Sequence, residues 1–186
     1  MKHIIKPAAS LFITAVLTVA ALSVVYNLTL EPIEKQKHIM RDAAMREVFP
    51  QGSEFREIQT EKTGSITAVY EALSNNVLTG YVVQLSPEGY SGAIDLMVGI
   101  LLPDEIITGM RVLQHTETPG LGALAVREDF YNQYNRRPLT PLGVVKTAPG
   151  QNEIQAITSA TITTRAITNA VNEAIEWYFL FRGTGR

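Results

Sequence analysis

The chain has 186 residues, 46% of them hydrophobic and 18% charged, which suffices for one domain with a substantial core and one further element. Its formal net charge of −2, with no basic stripe or tail, argues against a nucleic-acid partner. Cysteine is absent, which excludes thiol nucleophiles, disulfides, thiolate zinc sites and cysteine-ligated iron–sulfur clusters. The three histidines are scattered and do not indicate a metal cage, so redox chemistry would require an organic cofactor.

Residues 7–30 read PAASLFITAVLTVAALSVVYNLTL and contain no charge. At 1.5 Å per residue, such a helix is long enough to cross a hydrocarbon layer of roughly 30 Å. A cleaved signal peptide has a shorter apolar region and a small-residue cleavage site, so we favour an uncleaved anchor in membrane lipid over residues 1–30. Lys2 and Lys6 precede the apolar run. They predict a single-pass cell-membrane protein with a cytoplasmic amino terminus and its domain on the periplasmic or extracellular side.

Residues 31–52 predict a stalk helix. Apolar residues recur there at helical intervals, at Ile33, Met40, Ala44 and Val48. The helix is expected to end near Pro50 and Gly52, because both residues interrupt helices. The remaining residues, 53–186, are predicted to form a domain of their own.

Four strand-like runs follow the stalk. They are SITAVYEAL (65–73), VLTGYVVQL (77–85), SGAIDLMVGILL (91–102) and IITGMRVLQH (106–115). Turn-forming residues at 74–76 predict a hairpin between the first two runs, and Pro103-Asp104-Glu105 predicts a turn between the last two. The runs therefore predict an antiparallel sheet.

The rest of the domain predicts helices and a loop. Residues 127–137 are polar and aromatic and predict a short helix, whereas Pro and Gly punctuate a predicted loop at 138–150. The last helix has one apolar stripe, formed by Ala166, Ile167, Ala170, Val171, Ala174, Ile175 and Tyr178. The predicted fold class is α+β, with a single N-terminal transmembrane helix followed by an antiparallel-sheet domain with packing helices.

Hydroxyl residues crowd the start of that last helix, at Ser159, Thr161, Thr163 and Thr164. Ser and Thr commonly cap helices by accepting a hydrogen bond from a free N–H of the first turn, and composition alone favours this interpretation. The same N–H groups and the helix dipole also favour a phosphate. A threonine hydroxyl at that place could hold the phosphate or be bonded to it.

A second stretch, HTETPGLG (115–122), follows the fourth strand. Pro119-Gly120 fits the centre of a type II turn. Gly120 and Gly122 would let the backbone approach a flat, bulky group without a Cβ in the way, although a plain surface turn is the simpler interpretation. The stretch is not a GxGxxG fingerprint and no βαβ unit surrounds it, which argues against a Rossmann site.

Three motifs occur in order behind the N-terminal anchor: SPEGYSGAIDLMVG (86–99), HTETPGLG (115–122) and ITSATITTRAITNAVNEAI (157–175). Together they resemble the G subunit of the Rnf ion-translocating electron-transport complex, and the resemblance runs over essentially the whole chain. Any one motif would be a weak signal, and the three in order make it specific. The related C subunit of the sodium-translocating NADH:quinone reductase shares the SxAT-like motif and remains the runner-up.

The resemblance implies that residues 53–186 bind one FMN per chain, attached through its phosphate to a threonine hydroxyl by a separate flavin transferase. The acceptor in this family follows Ala in the motif (S/T)-x-A-T, which here is Thr161. The family motif usually has Asp and Gly where this chain has Gln155 and Ser159. The flavin site implied by the resemblance comprises Thr161, Thr158, Ser159, Ala160, Thr163, Glu117, Thr118, Pro119, Gly120, Leu121 and Gly122.

The resemblance also implies a redox subunit of a translocase rather than a stand-alone catalyst. Such a protein would relay electrons in ferredoxin:NAD electron transfer coupled to Na⁺ or H⁺ translocation, with the other membrane and peripheral subunits as partners. A flavin-free membrane-anchored assembly module and a stand-alone secreted flavoprotein are the alternatives. Under the flavin hypothesis we expect the hydroxyls of Thr163 and Thr164 only to cap or solvate the first helical turn, and Ser159→Gly to be tolerated.

Overall fold

The computed structural model describes residues 2–60, 63–102 and 104–183. Pro103, in the turn predicted before the fourth strand-like run, lies outside the described residues. The chain opens with one helix, α1 (Lys2–Val48), and it divides into two compact units, Met1–Arg41 and Asp42–Arg186. The boundaries predicted after residues 30 and 52 stay predictions.

The first unit is an apolar helix with exposed side chains, such as Leu11, which is 71% exposed. The hydroxyl groups of its threonines bond to its own backbone. Thr18 Oγ1 donates to the Thr14 carbonyl at 2.8 Å, and Thr29 Oγ1 donates to the Val25 carbonyl at 2.9 Å. Such bonds satisfy polar groups within the helix, as a hydrocarbon environment requires. By its length and composition, this helix can cross a membrane.

The second unit is built on a six-stranded antiparallel sheet whose strands follow chain order. The strands are β1 (Glu54–Ile58), β2 (Ile66–Ser74), β3 (Val77–Leu85), β4 (Ile94–Leu101), β5 (Ile106–His115) and β6 (Arg137–Pro138). The four predicted strands correspond to β2–β5, although β4 begins at Ile94 rather than at residue 91. The predicted antiparallel sheet is confirmed.

Two asparagines form the turn between β2 and β3. Asn75 and Asn76 have φ angles of 51° and 64°. A positive φ at both central residues is typical of the type I′ turn, whose twist matches that of paired strands. The predicted hairpin is confirmed, with a loop of these two residues.

Each face of the sheet carries its own apolar core. On one face, α3 (Thr161–Gly183) packs against side chains of β2–β5. On the other face, Val48 and Phe49 at the end of α1 are fully buried against side chains such as Met97. Side chains alternate between the two faces of a strand, so the same strands supply both cores. The stripe predicted for the last helix is buried, with Ala166 half-buried, and the α+β fold class is confirmed.

The connection from β5 to α3 contains short elements. The helix predicted within residues 127–137 is confirmed as α2 (Glu128–Tyr131), between the 3₁₀ turns Gly122–Val126 and Asn132–Tyr134. The loop predicted at 138–150 is partly wrong, because β7 (Gly143–Val145) lies within it and pairs in parallel with β8 (Glu153–Gln155). Pro and Gly indicate the turns there, but the pairing is non-local and leaves no local pattern.

Candidate functional site

Three parts of the second unit line one open cleft of roughly 370 Å³. They are the loop between β3 and β4, the turn after β5 and the start of α3. The predicted site residues in the lining are Glu117, Thr118, Leu121, Gly122, Ser159, Ala160, Thr161 and Thr163. Tyr90 and Ile162 also line the cleft. Its volume falls within the range of about 300–1,000 Å³ that is typical of small-molecule sites.

Three predicted site residues are not part of this lining. Pro119 and Gly120 lie in the turn that precedes Leu121. Thr158 lines a separate cavity of about 310 Å³ beside Gln133. The structure therefore brings most of the predicted site together and leaves these three at its edge.

The predicted type II turn is confirmed at residues 118–121. The Leu121 N–H donates to the Thr118 carbonyl at 3.1 Å, and Gly120 has a φ of 76°. A type II turn needs a positive φ at its third residue and favours Pro at its second, where Pro119 stands. The turn delivers Leu121 and Gly122 to the cleft.

The first turn of α3 meets the cleft without a side-chain cap. The Thr164 N–H donates to the Ala160 carbonyl at 3.1 Å, which makes Ala160 the N-cap residue. Alanine has no side-chain oxygen that could cap the helix. Within the part of the chain that the structure describes, no side chain accepts a hydrogen bond from the N–H of Thr161, Ile162 or Thr163. These free N–H groups, at the positive end of the helix dipole, favour an anion.

Thr163 and Thr164 point into the protein and are 1% and 0% exposed. Thr163 Oγ1 donates to Glu117 Oε2 at 2.6 Å. Thr164 Oγ1 accepts from the Ile157 N–H at 3.1 Å and donates to the Ala160 carbonyl at 3.0 Å. The expectation that these hydroxyls only cap or solvate the first turn is therefore wrong, because the rotation of the helix directs both side chains inward.

Thr161 and Ser159 keep accessible hydroxyl groups. Thr161 is half-buried at the cleft, and among the described residues its hydroxyl makes no hydrogen bond. Ser159 is exposed and has a φ of 63°, in the left-handed region that glycine adopts without steric cost. The usual family glycine would therefore fit at residue 159 without strain.

Glu117 places a carboxylate in the wall of the cleft, and its side chain is only 5% exposed. Its Oε1 accepts from the N–H groups of Tyr90 at 2.8 Å and Ser91 at 2.9 Å, while Oε2 accepts from Thr163. Burial alone raises the pKa of Glu117. The hydrogen bonds from Ser91, Thr163 and Tyr90, together with the nearby His115, lower this pKa by more than burial raises it, so the net shift is downward. The side chain is therefore an ionised carboxylate at neutral pH.

Apolar side chains form the rim of the cleft. Tyr90, Ile162 and Leu121 are 70%, 54% and 39% exposed. An apolar rim beside an uncapped helix start fits a ligand that combines a flat ring with a phosphate, and FMN has both parts. Our sequence-based prediction missed Tyr90 and Ile162. Tyr90 lies inside the SPEGYSG stretch and Ile162 inside SATITT, so the motifs already contained both residues.

Comparison with known families defines the class of protein. Residues 89–176 match the FMN-binding domain family, and residues 1–48 match the RnfG N-terminal region. A solved structure of the C subunit of the Na(+)-translocating NADH-quinone reductase from Parabacteroides distasonis has a similar fold, with a TM-score of 0.51. That similarity extends over 60% of each chain at 22% identity. The second unit thus contains the region that matches the FMN-binding domain family, residues 89–176.

Full-length relatives define the family. The G subunit of the proton-translocating ferredoxin:NAD(+) oxidoreductase complex of Clostridium ljungdahlii is 34% identical over 94% of this chain and 91% of its own length. The G subunit of the Na(+)-translocating ferredoxin:NAD(+) oxidoreductase complex of Acetobacterium woodii is 34% identical over 95% of this chain and 92% of its own length. The chain belongs to the family of G subunits of these Rnf-type complexes. The predicted family is confirmed, and the runner-up is similar in fold.

The exposed apolar helix and the family together support association with a membrane. An apolar surface of this length is stable in hydrocarbon and costly in water. Membrane association is thus supported independently by the helix itself and by the relatives.

Proposed function

We propose that this chain is the electron-carrying subunit of a membrane-bound Rnf-type complex, with one FMN attached to Thr161 by a phosphoester. The relatives described above are named as subunits of ferredoxin:NAD(+) oxidoreductase complexes that translocate protons or Na⁺. The FMN-binding domain supports FMN as the cofactor. When bound, FMN supplies the redox chemistry, while the chain supplies position and electrostatic tuning.

One observation supports Thr161 as the attachment point, namely which threonine hydroxyls at the start of α3 are already hydrogen-bonded. Thr163 and Thr164 are buried and hydrogen-bonded to protein atoms. Thr161 is the first residue of the helix, lines the cleft and has a hydroxyl that is free within the described residues. A phosphate on Thr161 would meet the uncapped N–H groups of the first turn. This supports Thr161 over its two threonine neighbours.

The rest of the cleft would hold the ring of the cofactor. Tyr90, Leu121 and Ile162 offer apolar surface at the rim, where contact with a flat ring excludes water. During attachment, Thr161 presents its hydroxyl to a separate enzyme, the flavin transferase. Its partial exposure at an open cleft supports such access.

Other subunits of the complex are the proposed electron and ion partners. The predicted span, residues 7–30, contains no charged residue, so a single helix of this kind cannot itself form an ion path. We place the amino terminus in the cytoplasm because Lys6 precedes the span, and the FMN domain on the opposite side of the membrane.

The attachment is tested by in-gel flavin fluorescence after denaturation of the full chain, expressed in its own host. Wild-type protein is expected to fluoresce, and Thr161→Val is expected to give a dark band of equal protein content. Thr147→Val is the matched control, because it removes the hydroxyl of an exposed threonine that lies outside the (S/T)-x-A-T motif and outside the cleft. This control should remain fluorescent. A fluorescent Thr161→Val band would refute the attachment point, and a dark wild-type band would favour a flavin-free assembly module.

A further inference from the structure

Among the described residues, Glu117 is the one charged side chain that is buried. Removing a carboxylate from water is energetically unfavourable unless other groups compensate. No Lys, Arg or His within the described chain lies at ion-pair distance from it. The compensation comes mainly from hydrogen bonds, and His115, although nearby, forms no ion pair with the carboxylate.

The donors to this carboxylate come from two other segments of the cleft. Two backbone N–H groups, of Tyr90 and Ser91, point at one oxygen, and the Thr163 hydroxyl points at the other at 2.6 Å. A distance of 2.6 Å is typical of a charge-assisted O–H···O⁻ bond. Glu117 therefore links the β3–β4 loop and the start of α3 to the turn after β5.

Two glycines leave the space that the carboxylate fills. A Cβ on Gly89 would lie 2.5 Å from Glu117 Oε1, and a Cβ on Gly122 would overlap Glu117 Oε2. Any larger residue at either position would displace the carboxylate. All three sequence motifs therefore converge on this one side chain.

We infer that Glu117 is a positioning residue of the flavin cleft and that its fixed negative charge lowers the midpoint potential of FMN bound there. The inference rests on the proposed function, because it requires FMN in this cleft. Glu117 lines the same cleft as Thr161. Reduction adds electron density to the flavin, and a nearby carboxylate that is not ion-paired opposes that change through a partly desolvated medium.

A purely structural role is the competing explanation, and two substitutions separate it from the charge effect. Glu117→Gln keeps the shape, because the amide oxygen can accept from both N–H groups and the amide nitrogen can donate to a rotated Thr163 hydroxyl. It removes only the charge. Thr163→Val keeps the charge but removes one donor, so the field of the carboxylate at the cleft becomes stronger.

The test is the flavin midpoint potential of the full chain, purified with its covalent flavin and titrated spectroelectrochemically at neutral pH. Glu117→Gln is expected to shift the potential to more positive values, and Thr163→Val to more negative values. Glu88→Gln is the matched control, because it removes an exposed carboxylate from the loop that bonds Glu117 and should leave the potential unchanged.

Shifts of the same sign in both variants, or no shift in either, would overturn the inference, because a loosened cleft affects both variants alike. If Glu117→Gln loses its flavin while Glu88→Gln retains it, the positioning role is supported. The sign of the Thr163→Val shift then decides the charge effect. Absence of flavin from the wild-type protein would instead refute the proposed function, so the two failures are distinguishable.

Discussion

Ser159 adopts a left-handed backbone conformation, with a φ of 63°, directly before α3. For residues with a β-carbon this conformation costs about 1–2 kcal/mol, and β-branched residues tolerate it least. Serine already bears this cost, so we expect Ser159→Val to add only the extra penalty of β-branching and to reduce the free energy of unfolding by about 1 kcal/mol. Ser159→Gly should stay within about 1 kcal/mol of wild type, because relief of strain offsets the greater flexibility of the unfolded chain.

Urea unfolding of the full chain in detergent checks this prediction, with fluorescence of Trp177 as the probe. Trp177 is the only tryptophan in the sequence and is buried in the domain. Thr158→Val is the control, since it introduces valine next to Ser159 at a position without a positive φ. Equal losses from Ser159→Val and Thr158→Val would contradict the strain assignment.

The lowered pKa of Glu117 predicts how stability depends on pH. Because the folded chain binds this proton less readily than the unfolded chain, the hydrogen-bonded carboxylate stabilises the fold above the ordinary glutamate value of 4.5. This contribution is lost as the pH falls through the lower, folded-state value. Glu117→Gln has no such proton to bind, so its deficit in unfolding free energy relative to wild type should shrink as the pH falls below 4.5.

The measurement is the difference in unfolding free energy between wild type and Glu117→Gln, followed from neutral pH downward. Glu88→Gln should track wild type throughout, because its carboxylate is exposed. A deficit of Glu117→Gln that stays constant over the whole range would contradict the assigned pKa direction.

At the scale of elements, a buried hydrogen bond fixes α3 to the 3₁₀ turn before β6. Tyr134 is fully buried, and its hydroxyl lies 2.8 Å from Thr168 Oγ1. Thr168 Oγ1 donates to the Thr164 carbonyl at 2.9 Å, so the Tyr134 hydroxyl must be the donor to Thr168. Burial raises the pKa of Tyr134, which keeps the hydroxyl protonated.

This geometry predicts unequal costs for removing either partner. Tyr134→Phe leaves Thr168 with its bond to the helix backbone and should reduce the free energy of unfolding by about 0.5–1.5 kcal/mol. Thr168→Val leaves a buried phenol without its acceptor and should cost more, about 1–3 kcal/mol. Urea unfolding of both variants measures the two losses in unfolding free energy and shows which is larger. An equal or larger loss for Tyr134→Phe would contradict the assigned donor direction.

The elements that sequence predicts well are those with a local period. Alternation identified β2–β5, and the i, i+3, i+4 repeat identified α3. β1 was missed because EFREI (Glu54–Ile58) is largely exposed and lacks a clear alternation. β7 was missed because its partner, β8, lies several residues further along the chain in a parallel pairing that leaves no turn signal.

In the candidate site, too, features with a local sequence signal were predicted and features that depend on distant contacts were not. The type II turn followed from Pro119 and Gly120, but capping was the wrong interpretation of the hydroxyl cluster. Extending the apolar stripe of α3 back by four residues from Ile167 reaches Thr163, so the phase of the helix already predicts an inward hydroxyl there. The burial of Glu117 had no such signal, because acidic residues are almost always exposed and its donors come from distant segments.

At the scale of the whole molecule, the chain combines an apolar amino-terminal unit with a second unit that contains the match to the FMN-binding domain family. The absence of cysteine makes single-cysteine labelling a direct test of the proposed orientation. Lys6→Cys and Glu88→Cys each introduce a thiol at an exposed position, one in each unit. In spheroplasts, a membrane-impermeant maleimide should label Glu88→Cys at once and Lys6→Cys only after permeabilisation, because the two residues are proposed to lie on opposite sides of the membrane. The reverse order would contradict that orientation.

The covalent flavin on Thr161 is the central claim, and mass spectrometry of one peptide tests it most directly. Trypsin cleaves after Lys146 and Arg165, which releases residues 147–165 with every hydroxyl of the cluster on one fragment. From protein purified out of its own host, we expect this peptide to carry the mass of one FMN less one water, and fragmentation to assign it to Thr161. An unmodified peptide from flavin-containing protein, or an adduct assigned to another hydroxyl residue, would contradict the claim.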